Sequence, residues 1–173
     1  MTTIFANRRA HLAWLGLGLT AAVLGLAAPR PARADIVKTE IVINAPRAKV
    51  WAILTDFKSY PAWNPFITRI EGPLTVGGTI TADLHTTNLK PRTVNAKILI
   101  VEPEHQLRWQ GSLPGLFSGE HYWILRDRPD GGTDLEQSEV FRGVMAPFIK
   151  PERLRVDYEA MNKAMKARAE AAP

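Results

Sequence analysis

The sequence predicts an α+β domain in which one curved antiparallel sheet is covered by a single long helix. One strand and two short helical pieces are followed by five or six extended segments with turn residues between them, which is typical of consecutive antiparallel strands. The chain then ends in a helix from about Pro151 to Ala169, the only element long enough to cover the apolar face of such a sheet. A helix laid across a curved sheet leaves space beneath it, so we expect a cavity between the two.

The first strand and the first helix are predicted within residues 38–55. Apolar and polar residues alternate over Lys38–Asn44, which indicates a half-buried strand. Asn44 is expected to cap a helix whose first turn contains Pro46, where a missing N–H costs nothing. A short turn over Lys58–Trp63 follows this helix. The expected apolar face of the helix consists of Val50, Trp51, Ile53 and Leu54.

The extended segments are separated by Gly, Pro and Asp residues, which mark turns. We place these segments at residues 66–72, 79–86, 92–102, 106–112, 117–126 and 133–142. The final helix carries one apolar stripe at helical spacing, formed by Leu154, Tyr158, Met161 and Met165.

Residues 1–34 have the order of a secretory signal: a basic start, an apolar middle and small residues at the end. Arg8 and Arg9 precede an apolar run over residues 12–28, and Ala32-Arg33-Ala34 supplies a cleavage site. We therefore expect cleavage between Ala34 and Asp35, export to the periplasm or the medium, and a mature domain of residues 35–173. The paired arginines also resemble a twin-arginine signal. The alternative to cleavage is a membrane anchor, for which the apolar run is at the short limit.

Charge and composition exclude several classes of site. The full chain has 22 basic and 17 acidic residues, but four of the arginines lie in the expected signal, which leaves 18 basic residues in the mature domain. No basic run remains to bind nucleic acid. The chain has no cysteine and no close pair of histidines, so we expect neither disulfides nor a metal site. No motif indicates a cofactor.

The last two strands can be aligned through the turn that joins them. If Pro129-Asp130-Gly131 forms a three-residue loop, His121 lies opposite Glu139 and Trp123 lies opposite Gln137. The shared face is then apolar except for His121, Gln137 and Glu139. They are expected either to mark a ligand site, in which Glu139 orients His121 and raises its pKa, or to form a cross-strand pair that only stabilises the sheet. The face consists of Phe117, His121, Trp123, Leu125, Leu135, Gln137, Glu139 and Phe141.

Further ligand contacts are expected at positions that also suit packing. Trp63 is expected to line the entrance of the cavity and Asn64 to bond a ligand, although both also fit a turn that closes the end of the sheet. Tyr158 and the methionines of the last helix face the sheet, where core and cavity wall are one surface. The expected ligand contacts are Trp63, Asn64, Ile98, Trp109, His121, Trp123, Gln137, Glu139, Phe141, Tyr158, Met161 and Met165.

VWAILTDF at residues 50–57 is followed by YPAWNPF at residues 60–66. These two stretches resemble the START-like (SRPBCC) superfamily, which includes polyketide cyclase/dehydrase-like proteins and small lipid-binding domains. LPGLFSGEH at residues 113–121 and EVFRG at residues 139–143 resemble a bacterial branch of uncharacterised members. The resemblance covers residues 36–168. It implies the helix-grip fold, in which a seven-stranded antiparallel sheet wraps the C-terminal helix around a cavity.

Two functional hypotheses follow from this sequence. The first is an exported module that binds a hydrophobic small molecule or lipid under the last helix, with transient membrane contact. The second is a cyclase- or dehydratase-like enzyme that uses His121 and Glu139 as an acid–base pair. Because the superfamily includes both carriers and enzymes, the fold alone does not separate them.

Overall fold

The computed structural model describes residues 35–87 and 89–171. The expected secretory signal, residues 1–34, lies outside the described residues. Neither helix described by the structure combines the length and the apolar character that crossing a bilayer requires.

A seven-stranded antiparallel sheet forms the body of the domain, in the order β1-β7-β6-β5-β4-β3-β2. This confirms the α+β class and the helix-grip fold. The strand predicted at residues 66–72 is shorter, Ile67–Glu71. It begins at Ile67 because Asn64 holds the chain in a turn just before it. The strands are β1 (Asp35–Ile43), β2 (Ile67–Glu71), β3 (Thr79–Leu84), β4 (Arg92–Glu102), β5 (Gln106–Leu113), β6 (Phe117–Asp127) and β7 (Thr133–Arg142).

Helix α1 spans Arg47–Thr55 and a 3-10 turn spans Phe57–Ala62. The prediction that Asn44 caps α1 is wrong: Pro46 occupies the cap position, and the Asn44 N–H instead donates to Oε1 of Glu170, 2.6 Å away. The predicted apolar face is also only half buried. Val50 and Leu54 are fully buried, whereas Trp51 and Ile53 pack at the edge of the core.

Helix α2 spans Pro151–Glu170 and presents the predicted stripe to the sheet. Polar contacts attach its outer side to edge strand β1. The Arg155 guanidinium donates to the Lys38 carbonyl at 2.7 Å, and the Lys166 ammonium donates to the Val42 carbonyl at 2.7 Å. All four residues of the stripe are buried: Leu154, Tyr158, Met161 and Met165.

The β6–β7 hairpin has the predicted register. His121 pairs with Glu139 and Trp123 pairs with Gln137. The turn closes with a hydrogen bond from the Arg128 N–H to the Gly132 carbonyl, and Gly131 adopts a φ of 83° that suits glycine. The predicted polar spot therefore lies on the concave face, beneath α2.

Candidate functional site

Four polar side chains meet in the interior between the sheet and α2. His121 belongs to β6, Gln137 and Glu139 belong to β7, and Tyr158 belongs to α2. We call these four residues the interior polar cluster. The hairpin register places the first three on one face, and the apolar stripe of α2 brings Tyr158 down onto them.

The imidazole of His121 lies in an aromatic stack. Its ring centroid is 4.2 Å from that of Trp123 and 4.8 Å from that of Tyr158, with interplanar angles of 20° and 18°. Trp109, directly across on β5, contacts it at 5.6 Å with a tilted ring. This packing leaves the imidazole almost without water contact. Burial therefore lowers the pKa of His121 to about 3, and the ring is neutral at ordinary pH.

Gln137 is the hydrogen-bond partner of His121. Its Nε2 lies 3.0 Å from Nε2 of His121. When the amide nitrogen donates in this contact, the imidazole Nε2 accepts and the proton of the neutral ring is on Nδ1. The same amide group contacts the Met161 sulfur at 3.6 Å, which connects the sheet to α2.

Glu139 is bonded to α2 and not to its cross-strand neighbour. The Tyr158 hydroxyl donates to Oε2 of Glu139. Part of the Glu139 side chain reaches the surface, but its carboxylate is packed inside. Burial raises its pKa to about 7, opposed by the Tyr158 hydrogen bond and the positive charge of Arg92. Burial, reinforced by the nearby Glu139 carboxylate, raises the pKa of Tyr158.

The expected His121–Glu139 acid–base pair is therefore corrected. The two residues are neighbours across the hairpin, as predicted, but each has another hydrogen-bond partner. The sequence left open whether the charge of Glu139 or burial sets the pKa of His121; burial lowers it. Nothing in the sequence indicated Tyr158 as the partner of Glu139, because their contact depends on where α2 crosses the sheet.

Gly119 is a residue of the site that the sequence reasoning missed. A Cβ at this position would lie 2.5 Å from Oε1 of Glu139 and 3.3 Å from the Phe141 ring. The missing side chain therefore leaves room for the Glu139 carboxylate. A glycine inside a predicted strand is a signal for such a close approach.

Two buried polar atoms beside the cluster have no partner. They are Oε1 of Gln137, an acceptor, and Nε1 of Trp123, a donor. Both side chains are fully buried, and the two residues face each other across the hairpin. An unpaired buried polar group costs about 1–3 kcal/mol. This cross-strand pair thus presents one unpaired donor and one unpaired acceptor in apolar surroundings.

The other expected ligand contacts divide into two groups. Trp63 and Asn64 lie on the turn before β2 and are engaged in local structure. The Trp63 indole donates to the Ser59 hydroxyl at 3.2 Å, and Oδ1 of Asn64 accepts from the N–H groups of Phe66 and Ile67. The second group faces the interior from the sheet and α2 and is buried: Ile98, Trp109, Phe141, Met161 and Met165.

The expected open cavity under α2 is filled in this structure. Side chains that border an empty space large enough for water would keep accessible surface. Four residues under α2 keep none: Gln137, Trp123, Tyr158 and Met161. The stacked rings and the methionine side chains occupy the volume. A groove of about 560 Å³ lies instead between β1 and α2, lined by Lys38, Arg155 and Asn162 among others. A smaller one of about 240 Å³ lies beside Arg92 on β4.

No group of three or more acidic or histidine side chains suited to hold a metal ion occurs among the residues that the structure describes. The cluster offers hydrogen bonding and, at Glu139, proton transfer near neutral pH.

A family model described as polyketide cyclase / dehydrase and lipid transport matches residues 35–172. The chain belongs to this family. The match spans all the described elements, from β1 to α2. None of the curated proteins matches the chain.

Solved structures share the fold at low sequence identity. BexL, a di-domain ARO/CYC protein from the BE-7585A biosynthetic pathway, matches with a TM-score of 0.64 at 16% identity over 81% of this chain and 51% of its own. Truncated norcoclaurine synthase from Thalictrum flavum matches at 0.62 and 13% over 84% and 99%. Ara h 8.0201 matches at 0.61 and 16% over 79% and 98%. The chain spans about half the length of the di-domain proteins it matches.

Proposed function

We propose that this domain binds a small, mainly apolar molecule that carries a polar group, in the space between the sheet and α2. The observation that carries the proposal is the unpaired acceptor of Gln137 beside the unpaired donor of Trp123. A ligand that supplies a donor and an acceptor would satisfy both groups while its apolar part replaces the methionine side chains. The family description, which includes lipid transport, supports this class of ligand.

Binding requires α2 or the segment before it to move, because the interior is filled in this structure. Met161 and Met165 contribute flexible side chains to the filled volume, and methionine adapts readily to irregular shapes. The contact of α2 with β1 includes two hydrogen bonds at the surface, from Arg155 and Lys166 to backbone carbonyls. A third, from the Asn162 amide to the Thr39 hydroxyl, is buried. An opening between α2 and β1 would break all three and leave the aromatic stack on the sheet in place.

The test is extraction of bound molecules from protein purified without detergent, followed by mass spectrometry. We expect an intact apolar compound in a fixed ratio to the protein. Its rebinding to the Gln137→Met variant should be weakened about tenfold, because one hydrogen bond in an apolar interior is lost. Gln110→Met, on the convex face of β5, is the matched control and should bind normally. Equal binding by the two variants would contradict the proposal.

A second candidate function is proton-transfer catalysis, and the environment of Glu139 favours it. A carboxyl group whose pKa is raised to about 7 can both give and take a proton near neutral pH. The Tyr158 hydroxyl holds the Glu139 carboxyl group in place through a hydrogen bond. In this candidate Glu139 replaces the earlier His121–Glu139 pair, since His121 remains neutral.

Turnover of the extracted compound separates the two candidates. Under catalysis, the compound is converted to a product of different mass or absorbance, and Glu139→Gln slows that conversion about 10²–10⁴-fold. Under binding alone, the compound is recovered unchanged and the substitution has little effect on affinity, because most of it comes from buried apolar area.

We also propose that the domain acts outside the cytoplasm. The basic, apolar and small-residue segments of residues 1–34 support this proposal. A ligand-binding domain exported in this way would carry its ligand within the envelope or to the medium.

A further inference from the structure

Two connections at one end of the sheet form a surface that we call the rim, residues 113–116 and 143–150. The first joins β5 to β6, and the second joins β7 to α2. They are held together by a hydrogen bond of 3.2 Å from the Met145 N–H to the Leu116 carbonyl. Ala146 is fully buried in the core, so the second connection is anchored while its neighbours project outward.

The rim exposes an unusual amount of apolar surface. Among the described residues, ten large hydrophobic side chains are exposed, and five of them lie here. Phe148 is the most exposed of all at 75%, followed within the rim by Val144 at 65%. Grouped apolar side chains of this kind mark a contact surface, unlike single ones scattered over a protein. The five are Leu113, Leu116, Val144, Met145 and Phe148.

Positive charge surrounds these apolar tips. The rim contains Lys150 and no acidic residue. Exposed cations flank the rim at the same end of the sheet. One of them, Arg142, is paired with Glu120, and one exposed acid, Glu152, lies among them. At the opposite end the exposed acids are paired with arginines: Asp127 with Arg47 and Asp130 with Arg128. The flanking cations are Lys90, Arg92, Arg142 and Arg153.

We propose that the rim docks on the surface of a lipid bilayer that contains anionic lipids. Apolar tips inserted at the boundary of headgroups and acyl chains, with lysine and arginine at the level of the headgroups, are the pattern that such a surface binds. A second copy of this chain fits the rim less well, because it would bring the same cations against one another. This proposal does not depend on the ligand-binding proposal, since the rim is exposed while the interior is filled.

The test uses protein isolated from cells that express the full chain, with its N-terminus determined by sequencing. The protein is mixed with vesicles of phosphatidylcholine, alone or in equal mixture with phosphatidylglycerol, that contain a lipid with a photoactivatable acyl chain. Labelled residues are mapped by mass spectrometry. We expect label at Leu116 and Phe148, stronger with phosphatidylglycerol. Val76 is the internal control, because it is 67% exposed on the β2–β3 turn at the opposite end.

Variants provide the second readout. Phe148→Ser should lower rim labelling about tenfold, since it removes a large apolar side chain from the bilayer contact. Lys150→Gln should lower it about fivefold, and only with the anionic vesicles. Val76→Ser should leave it unchanged, and thermal melts should show all three variants folded because these side chains are exposed. Label that is absent from the rim or equal at Val76 would overturn the proposal. So would a concentration-dependent dimer that Phe148→Ser abolishes.

Discussion

The Tyr158 hydroxyl donates a hydrogen bond to Oε2 of Glu139, so α2 is joined to β7 at the centre of the concave face. This contact takes Glu139 away from His121, which it faces across the hairpin. His121 and Glu139 therefore share no hydrogen bond, and each gains or loses its proton separately. Burial moves the pKa of Glu139 up and that of His121 down, so both groups favour the neutral form.

Replacing Glu139 by Gln should make the stability increase with pH relative to the original protein. The folded state keeps the Glu139 proton up to about pH 7, whereas the unfolded chain loses it near 4.5. Glu139 by itself therefore makes the original protein lose stability as the pH rises from about 4.5 to 7, by at most about 1.4 kcal/mol per pH unit. The variant has no such loss. Urea melts across this range measure the difference, and parallel profiles would show that the Glu139 carboxyl is solvated.

Replacing His121 by Phe should remove a dependence of the opposite sign. The unfolded chain binds a proton at this histidine below about pH 6.5, whereas the folded state does so only near 3. His121 by itself therefore makes the original protein lose stability as the pH falls from 6.5 to 3, by at most about 1.4 kcal/mol per unit. Between pH 4.5 and 6.5 the effects of Glu139 and His121 cancel, so its profile there should be flat. His121→Phe keeps the ring stack, and its stability should instead rise as the pH is lowered over that interval.

Replacing Gly119 by Ala should displace the Glu139 carboxylate. The added Cβ would lie 2.5 Å from Oε1, and the Tyr158 hydrogen bond would have to stretch or break. We expect a loss of about 1–3 kcal/mol in the free energy of unfolding. Gly111→Ala is the matched control: Gly111 pairs with Gly119 across β5 and β6, and its nearest contact would be an ordinary 3.5 Å. Equal losses in both variants would point to a general effect of glycine in strands.

Replacing Trp51 by Ala should lower the free energy of unfolding less than the truncation of a fully buried Trp does. A fully buried Trp costs about 3–5 kcal/mol when truncated. Trp51 packs at the edge of the core and remains partly exposed, so about 1–3 kcal/mol is expected. Leu54→Ala, one turn along the same helix and fully buried, should cost at least as much. Chemical denaturation of both variants makes the comparison, and a larger loss at Trp51 would contradict it.

The exported form of the protein should begin at Asp35. Cleavage after Ala32-Arg33-Ala34 leaves β1 intact, because that strand starts at Asp35. N-terminal sequencing of protein from the extracytoplasmic fraction checks this prediction. Protein that begins at Met1, or that is found only in the cytoplasm, would refute it.

Sequence patterns alone predicted the order of the elements and the β6–β7 register. Alternation of side chains along a strand and the length of a turn are consequences of local covalent geometry, so the placement of His121 opposite Glu139 was readable from residue spacing. The stripe from Leu154 to Met165 on α2 was readable for the same reason. The start of α1 was not readable: it begins at Arg47 with Pro46 at the cap position, so the side chain of Asn44 caps nothing.

Only the tertiary structure decided which partner each interior polar group has and whether the interior is open. His121 bonds Gln137, its diagonal neighbour on the hairpin, and not Glu139. The pairing of Glu139 with Tyr158 depends on where α2 crosses the sheet. That placement results from the packing of many side chains that are distant in sequence, and no local period encodes it. The same packing fills the space under α2, buries Ala146 and leaves Phe148 exposed at the rim.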